Sequence, residues 1–316
     1  MLDVNFFRNP RFSAASAAIM LTFFAMFGWL FLLTQFLQSV LGYTAFEAGV
    51  RLLPTAAVMM VVAPLSARAV ERIGTKVVVA TGMTVAAVGL VMASRLTAGA
   101  SYPEVLVSLV VISAGLALVM APATESIMGS LPRAKAGVGS AVNDTTRQVG
   151  GALGVAVLGS VMSSTYGPRV RDAISGFPVP PDVASAISDQ VGAAMQAASQ
   201  IGGEPGRALA DVASRGFSDG MSTAFLIGAA ALALGAVIVA LFLPARARDE
   251  QAHEVPTPGG DGQRPEVAAA SGDAIGREST DHVTDPRGTG SAAFDPGARS
   301  PMSRATNVPV KNDTPR

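Results

Sequence analysis

FSAASAAIMLTFFAMFGWLFLLTQFLQSVLGYTAF occupies residues 12–46 and contains no Asp, Glu, Lys or Arg. An α-helix needs roughly 20 mostly apolar residues to cross the hydrocarbon core of a bilayer, and this stretch is longer than that. Across the whole chain, 50% of the 316 residues are hydrophobic and 15% are charged, a charged share well below that of a soluble domain. The stretch therefore predicts a transmembrane helix over about residues 14–40.

Similar uncharged stretches recur along the chain, at residues 52–67, 77–94, 105–124, 148–168 and 220–245. Together they predict an all-α membrane protein with six transmembrane helices. The expected helices lie at about 14–40, 48–69, 76–95, 104–130, 137–163 and 220–243. A soluble all-α protein with long buried helices is the alternative, but six such stretches would leave it too little polar surface.

Basic residues favour one orientation in the membrane. With the N-terminus inside, the outer ends of the first four helices carry only Arg51 and Arg95, and most other basic residues fall on inner segments. We therefore expect a multi-pass protein of the bacterial plasma (inner) membrane with both termini cytoplasmic. The remaining segments are then a lead-in at 1–13, an outer loop at 164–219 and a cytoplasmic tail at 244–316.

Two of these segments have recognisable patterns. Apolar residues recur every four positions in the outer loop, which predicts an amphipathic helix lying as a cap, in preference to a ligand site; they are Val183, Ile187, Val191 and Met195. The tail is rich in Pro, Gly, Asp, Ser, Thr and Arg without apolar periodicity, which predicts disorder.

Composition excludes several functions. The chain has no Cys, and its two His residues, His253 and His282, lie in the tail. Thiolate sites and a His-based metal or catalytic centre in the apolar part are therefore excluded. The net charge of zero gives no reason to expect a nucleic-acid partner. No HExxH or GxSxG motif is present, so we expect neither an enzyme nor a bound metal or cofactor.

Four stretches together resemble one family. They are FFRNPRFS (6–13), FEAGVRLLP (46–54), ARAVERIGTK (67–76) and APATESIMGSLPRAKAGVGSAVNDTTRQVGGALGVAVLGSV (121–161). They resemble the C-terminal half of the 14-span drug/proton antiporters of the major facilitator superfamily (EmrB/QacA type). The resemblance covers roughly residues 5–243, and the 121–161 block is its most specific part.

The resemblance implies proton-coupled export of lipophilic drugs or metabolites by alternating access. It also implies a second six-helix lobe, so we expect a missing N-terminal lobe or a second copy as partner. The inner-loop residues Glu71, Arg72, Gly74 and Lys76 match the family's loop motif, which acts as a conformational latch; an ordinary positive-inside loop is the alternative. A truncated or non-transporting protein that only associates with a partner lobe is the alternative function.

The predicted fifth helix carries charges where lipid would penalise them. Gly139, Asn143, Arg147 and Gly151 form one row at four-residue spacing, and Ser140, Asp144 and Gln148 form the adjacent row. This face is expected to look inward or toward water, with Asp144 pairing with Arg147 and Glu125 of the fourth helix opposite. Three roles compete: an ion pair or interlobe clamp, a proton-coupling carboxylate at Asp144 or Glu125, and simple solvation of the helix end.

Two further predictions concern packing and substrate. Gly150 and Gly154 form a GxxxG pattern, which favours close approach of another helix. The first helix is the most aromatic, and the corresponding family helix lines the substrate cavity. We therefore choose Trp29 and Gln35 as candidate cavity residues. The charge of the substrate is left open.

Overall fold

The computed structural model describes residues 8–130, 135–175 and 181–243, and their regular structure is helical. The helices are α1 (Pro10–Gln35, continued by a π-helical turn at Phe36–Val40), α2 (Ala45–Ile73), α3 (Thr75–Ala93), α4 (Tyr102–Gly129), α5 (Ala136–Ile174), α6 (Pro181–Asp189), α7 (Val191–Ile201) and α8 (Gly203–Phe242). Within these residues six helices are long and apolar enough to cross a membrane: α1 with its π turn, α2, α3, α4, α5 and α8. The all-α membrane fold with six spans is confirmed.

Local sequence signals set several helix ends. Asn9 caps α1 by accepting a hydrogen bond from the Arg11 amide at 2.9 Å, and Pro10 follows at the first helical position. Thr44 and Glu47 form a reciprocal capping box at the start of α2. Between α2 and α3 the chain turns at one residue, Gly74, whose φ of 86° suits glycine.

Small residues let the helices approach closely. α1 packs on α5, α3 packs on α4, and α8 packs on α1, α3 and α5. A Cβ built on Gly82 of α3 would lie 2.8 Å from the Gly115 carbonyl oxygen of α4. A Cβ on Gly150 of α5 would lie 2.5 Å from the Met20 carbonyl oxygen of α1, and one on Gly154 would overlap the Phe24 carbonyl oxygen. The backbones of α3 and α4, and those of α1 and α5, therefore approach each other closely at these glycines.

Two helices are much longer than the sequence predicted. α5 continues from the expected end at 163 to Ile174, and α8 begins at Gly203 instead of 220. Charged residues mark the end of each apolar stretch. They do not end the helix, because the backbone hydrogen bonds of a helix do not depend on whether its side chains are apolar. Arg169 of α5 and Asp219 of α8 pair with each other, so the two extensions support one another. At the other end of the bundle α1 begins at Pro10, inside the expected lead-in.

The expected cap in the outer loop consists of two helices, α6 and α7. Gln190 interrupts them with an extended backbone (φ −136°, ψ 120°), so the four-residue apolar pattern does not form one continuous helix. Ile187 and Val191 are buried, and the Tyr166 hydroxyl of α5 donates to the Ile187 carbonyl at 2.9 Å. The predicted cytoplasmic tail at 244–316 and residues 1–7 of the lead-in lie outside the described residues.

Candidate functional site

The two polar rows of α5 have different surroundings. Gly139, Asn143 and Gly151 are buried, and Arg147 is half-buried, so the first row faces the bundle. Ser140, Asp144 and Gln148 are exposed, so the second row lies on the open surface of the described bundle. A helical turn thus places the two rows on neighbouring stripes of unequal burial. The expectation that this face looks inward or toward water stays a prediction.

Arg147 reaches across to the neighbouring helices. Its Nη2 donates to the Thr124 hydroxyl of α4 at 2.8 Å, and its guanidinium carbon lies 5.2 Å from the centroid of the Phe23 ring of α1. Both contacts suit a guanidinium, which donates in a planar fork and is attracted by an aromatic face. Arg147 thus joins α1, α4 and α5 at one point.

The predicted ion pair between Asp144 and Arg147 does not form: within residues 8–130, 135–175 and 181–243, the ion pairs found are Arg169–Asp219 and Arg215–Asp211. Residues three apart on a helix are neighbours only if both side chains lean the same way. Here Arg147 points toward α1 and α4, whereas Asp144 stays exposed. Glu125, the residue after Thr124 on α4, is also exposed. Arg147 therefore reaches α4 through Thr124 and pairs with neither Asp144 nor Glu125 among the described residues.

Two buried polar atoms lie one turn apart on α5 without a hydrogen-bond partner among the described residues. They are the Asn143 Oδ1 atom and the Arg147 Nε atom. Leaving such an atom unsatisfied costs about 1–3 kcal/mol, so bound water or a second arrangement of the site is expected to satisfy them. The polar centre of α5 is therefore incompletely paired.

An aromatic row on α1 lies beside α5. Phe23, Phe27, Phe31 and Gln35 follow at four-residue spacing. The first two rings stack with centroids 5.9 Å apart, and Phe27 and Phe31 are 43% and 39% exposed. A Cβ on Gly151 would lie 3.2 Å from the Phe27 ring and one on Gly159 would lie 3.5 Å from Phe31, so glycines of α5 make room for the rings. The row connects the ring beneath Arg147 with Gln35.

The two candidate cavity residues have opposite positions. Trp29 is 2% exposed, and its indole Nε1 atom is buried without a partner among the described residues, so Trp29 belongs to the bundle interior. It lies two residues from Phe27 and Phe31, and two residues correspond to about half a helical turn. Trp29 is therefore enclosed by the bundle, whereas Phe27 and Phe31 lie on its open side. The assignment of Trp29 to the substrate cavity stays a prediction.

Gln35 lines a cavity of about 470 Å³ between α1, α5 and the α6–α7 junction. Polar side chains contribute much of its wall: Gln35, Ser39, Ser160, Ser163, Asp189 and Gln190. The π-helical turn at Phe36–Val40 forms the end of α1 beside it. Wide turns of this kind often occur at functional sites, which is a signal that the sequence did not provide.

Arg51, which the sequence predictions assigned no role, holds the start of α2. Its guanidinium carbon lies 3.6 Å from the Tyr43 ring centroid and 5.6 Å from that of Tyr102. The Tyr102 hydroxyl donates to the Arg51 carbonyl at 3.1 Å. These contacts fix one end of α2 to α4. Tyr43 and Tyr102 lie 8 and 51 residues from Arg51 in the sequence, so spacing alone did not indicate this cluster.

The inner-loop motif lies at the opposite end of α2. Gly74 is buried and donates its amide to the Val70 carbonyl at 2.9 Å, while Glu71 and Arg72 are exposed and Lys76 is half-buried. No ion pair links these charges to one another within the described part of the chain. The turn at Gly74 is therefore tight, and the exposed Glu71 and Arg72 face away from the bundle.

Comparison with known proteins relates the chain to a family. Residues 3–155 match the family model of the Major Facilitator Superfamily. The chain is 36% identical to the tetracenomycin C resistance and export protein of Streptomyces glaucescens over 264 residues, covering 82% of this chain and 49% of that protein. It is 28% identical to the multidrug efflux pump LfrA of Mycolicibacterium smegmatis over 239 residues, covering 76% of this chain and 47% of the pump.

The fold comparison agrees with the sequence comparison. A crystal structure of a bacterial homolog of the human lysosomal transporter Spinster, inward-facing and occupied, aligns with a TM-score of 0.54 at 21% identity. The alignment covers 73% of this chain and 50% of that chain, and the curated relatives above are likewise matched over about half their length. The family match over residues 3–155 and the shared helical fold thus relate this chain to the Major Facilitator Superfamily.

Proposed function

We propose that the described bundle is the C-terminal lobe of a 14-span drug/proton antiporter that exports drugs or metabolites by alternating access. The observation that carries the proposal is the exposed polar row of α5, Ser140, Asp144 and Gln148. An Asp within a transmembrane helix costs about 2.5–3.5 kcal/mol when it faces lipid. The row is therefore expected to face a water-filled cavity or a second lobe.

The exposure of α2 supports a second lobe beside it. Only Ala48 and Ser66 are buried in this 29-residue helix, whereas the 28-residue α4 buries residues along its whole length. Met60 is 77% exposed and Leu53 is 61% exposed. Two prolines inside α2, Pro54 and Pro64, remove backbone hydrogen-bond donors and favour bending of the helix. We propose that α2 and α5 together face the partner lobe, or a second copy of this chain.

We propose that the substrate is lipophilic and contacts the exposed rings of Phe27 and Phe31, with Gln35 at the end of the row. Aromatic faces bind flat apolar molecules through large contact areas. The relatives named above, a tetracenomycin C export protein and a multidrug efflux pump, support a substrate of this kind. The positive-inside distribution of Lys and Arg supports a bacterial plasma membrane location with both termini cytoplasmic.

The free carboxylates support proton coupling over a permanent clamp. Asp144 and Glu125 are exposed, and within the described residues neither is paired with Arg147. A permanent clamp would require one of these carboxylates to pair with the Arg147 guanidinium. We therefore propose that Asp144 or Glu125 exchanges the proton and that Arg147 organises the helices around it. Glu71, Arg72, Gly74 and Lys76 then form the latch against the partner lobe.

The test is the substitution Asp144→Asn in the full-length protein, expressed in cells that lack other exporters. We expect proton-driven efflux of a lipophilic fluorescent dye to fall at least about tenfold, because an amide cannot exchange the proton. The membrane level of the protein should be unchanged. Asp211→Asn is the matched control, since Asp211 is exposed and its only ion-pair contact in the described bundle is with Arg215 on its own helix.

A non-transporting protein that only associates with a partner lobe is the second candidate function, and the apolar exposed face of α2 favours it. It predicts a different result for the same variants. Efflux no higher than in cells without the protein, together with lower protein levels for Asp144→Asn and Arg147→Ala, would support association alone and contradict the transport proposal.

A further inference from the structure

A long apolar groove runs along α3 and α8 beside the outer part of α4. Its volume is about 1210 Å³, and its wall is formed mainly by small side chains, including Ala80 and Ala87 of α3 and Ala230 and Ala233 of α8. Alanine has no side-chain rotamers, so these walls cannot swing into the groove and close it. The groove therefore remains open for an apolar occupant.

The length of the groove matches one leaflet of a membrane. Its lining on α3 extends from Ala80 to Met92, and the twelve steps between these residues correspond to about 18 Å at 1.5 Å per residue. Half of a hydrocarbon core of about 30 Å is about 15 Å. The groove is therefore long enough to hold an acyl chain lying along α3 and α8.

Two opposite charges line the same end of this groove. Arg95 follows α3 and Glu104 lies in the first turn of α4, on either side of the short connection between these helices. Both are exposed, and they form no ion pair with each other. The Arg95 amide donates to the Met92 carbonyl at 3.1 Å, but the Arg95 guanidinium has no hydrogen-bond partner among the described residues. The Glu104 carboxylate accepts one bond from the Ser101 hydroxyl at 3.1 Å. A cation and an anion that do not pair with each other in the described structure therefore line the same end of the groove.

We propose that the groove binds one phospholipid whose headgroup carries both a phosphate and a primary ammonium group, as in phosphatidylethanolamine. The Arg95 guanidinium binds the phosphate by charge-assisted hydrogen bonds. The Glu104 carboxylate accepts hydrogen bonds from the ammonium, and the acyl chains lie on the alanines. The trimethylammonium group of phosphatidylcholine has no N–H to donate to Glu104. The glycerol headgroup of phosphatidylglycerol has no cation to bind the Glu104 carboxylate. The site is independent of the proposed transport.

The test measures lipid retention by the full-length protein. After removal of bound lipid, the protein in mild detergent is mixed with equal amounts of dioleoyl phosphatidylethanolamine, phosphatidylcholine and phosphatidylglycerol. Native mass spectrometry then counts the lipids retained per chain. We expect one retained phosphatidylethanolamine per chain, favoured about threefold over each of the other lipids, as a single exposed ion pair provides.

Three variants locate the binding. Arg95→Gln and Glu104→Gln should each abolish the threefold preference, and Ala233→Phe should lower retention of all three lipids by filling the groove. Arg68→Gln, an exposed arginine of α2 that does not line the groove, and Leu234→Phe, an exposed residue of α8 outside it, are the matched controls and should behave as the unmodified protein. Gel filtration of every variant verifies folding, and the two Gln variants suffice if Ala233→Phe aggregates.

Several outcomes would overturn the proposal. Equal retention of the three lipids would mean that the groove holds ordinary surrounding lipid without headgroup selection. A preference for phosphatidylglycerol that depends on Arg95 alone would mean a site for anionic lipid. Unchanged retention in both Gln variants would remove the assigned headgroup site. None of these results depends on efflux, so each is distinguishable from failure of the transport proposal.

Discussion

Arg147 lies half-buried between α1, α4 and α5, and its partners are a hydroxyl and an aromatic ring. Spacing along the helix made Asp144 its expected partner, but the direction of each side chain decided otherwise. A guanidinium removed from water needs acceptors on the helix it faces, and Thr124 of α4 provides one. The exposed Asp144 has water or a partner lobe available instead. Arg147 therefore contacts α1 and α4, whereas Asp144 remains on the surface of the described bundle.

Thr124→Val should destabilise the bundle, because it removes the hydroxyl that Arg147 binds while keeping the side-chain shape. We expect a loss of about 1–3 kcal/mol in the free energy of unfolding, as for a half-buried charged donor left unpaired. The apparent melting temperature in detergent measures it. Thr145→Val is the control, since the exposed Thr145 hydroxyl bonds only to the Ala141 carbonyl of its own helix in the described structure. Equal melting temperatures for the two variants would contradict this account of Arg147.

Helices α1 and α5 meet through backbone atoms, and this contact determines which side chains remain on the surface. The glycines at 150 and 154 lie against the α1 backbone, while those at 151 and 159 lie beneath the rings of Phe27 and Phe31. Larger residues at the first pair would separate the helices, and larger residues at the second would displace the rings. The sequence indicated a close contact from GxxxG, but it did not indicate the partner helix or the aromatic row that results.

Gly154→Ala should therefore weaken the α1–α5 contact. The added methyl group would overlap the Phe24 carbonyl oxygen, and overpacking of this kind costs about 1–3 kcal/mol. Thermal unfolding in detergent should show a lower apparent melting temperature. Gly137→Ala on the same helix is the control, because a Cβ at Gly137 meets nothing within 4 Å and should leave stability unchanged or slightly raised. A Gly154→Ala protein as stable as the control would show that the helices are less tightly packed than described.

The extensions of α5 and α8 form a platform for α6 and α7. Tyr166 is fully buried and donates to the Ile187 carbonyl, and Gly206 of α8 lies against Ala198 of α7. The loop predicted from hydropathy is therefore a packed helical layer in the described residues. Its residues are too polar for hydropathy to predict a membrane span. Their burial comes from packing against neighbouring helices, which hydropathy does not describe.

Tyr166→Phe should loosen this layer without unfolding the spans. The Ile187 carbonyl would lose its buried hydroxyl donor, at a cost of about 1–3 kcal/mol. Limited proteolysis with trypsin should cut faster at Arg207, which follows α7 in the chain. Tyr102→Phe is the control, since it removes a hydroxyl bond at the start of α2 instead. If both variants are cut at Arg207 as slowly as the unmodified protein, the Tyr166 bond does not hold the layer.

The whole bundle is asymmetric in its packing. α1, α3 and α4 are largely enclosed, whereas α2 is nearly bare and α5 exposes a polar row. A surface that carries the polar row of α5 is unlike one adapted to lipid alone, because lipid would penalise the exposed Asp144. A partner lobe would cover the exposed face of α2 and leave the polar row of α5 in contact with water. This asymmetry makes the bundle half of a cavity in the proposed transporter.

We therefore expect no transport by the isolated monomer. The purified chain in liposomes with an imposed proton gradient should not move a lipophilic dye above the background of empty liposomes, because alternating access requires two lobes around the site. Cross-linking on the vesicles verifies that the chain is monomeric. Proton-coupled dye movement by verified monomers would contradict the half-cavity interpretation, and movement by dimers only would identify a second copy as the partner.

The sequence by itself determined that six apolar helices form and roughly where their apolar parts lie, since hydropathy is a local property of about twenty consecutive residues. Caps such as Thr44–Glu47 are equally local and were readable in the same way. The tertiary structure alone decided that Trp29 is buried and Phe27 exposed, that Arg147 binds Thr124, and that α5 and α8 continue past their apolar parts. These outcomes depend on which helices meet and on the rotation of each about its axis, which contacts between distant residues determine.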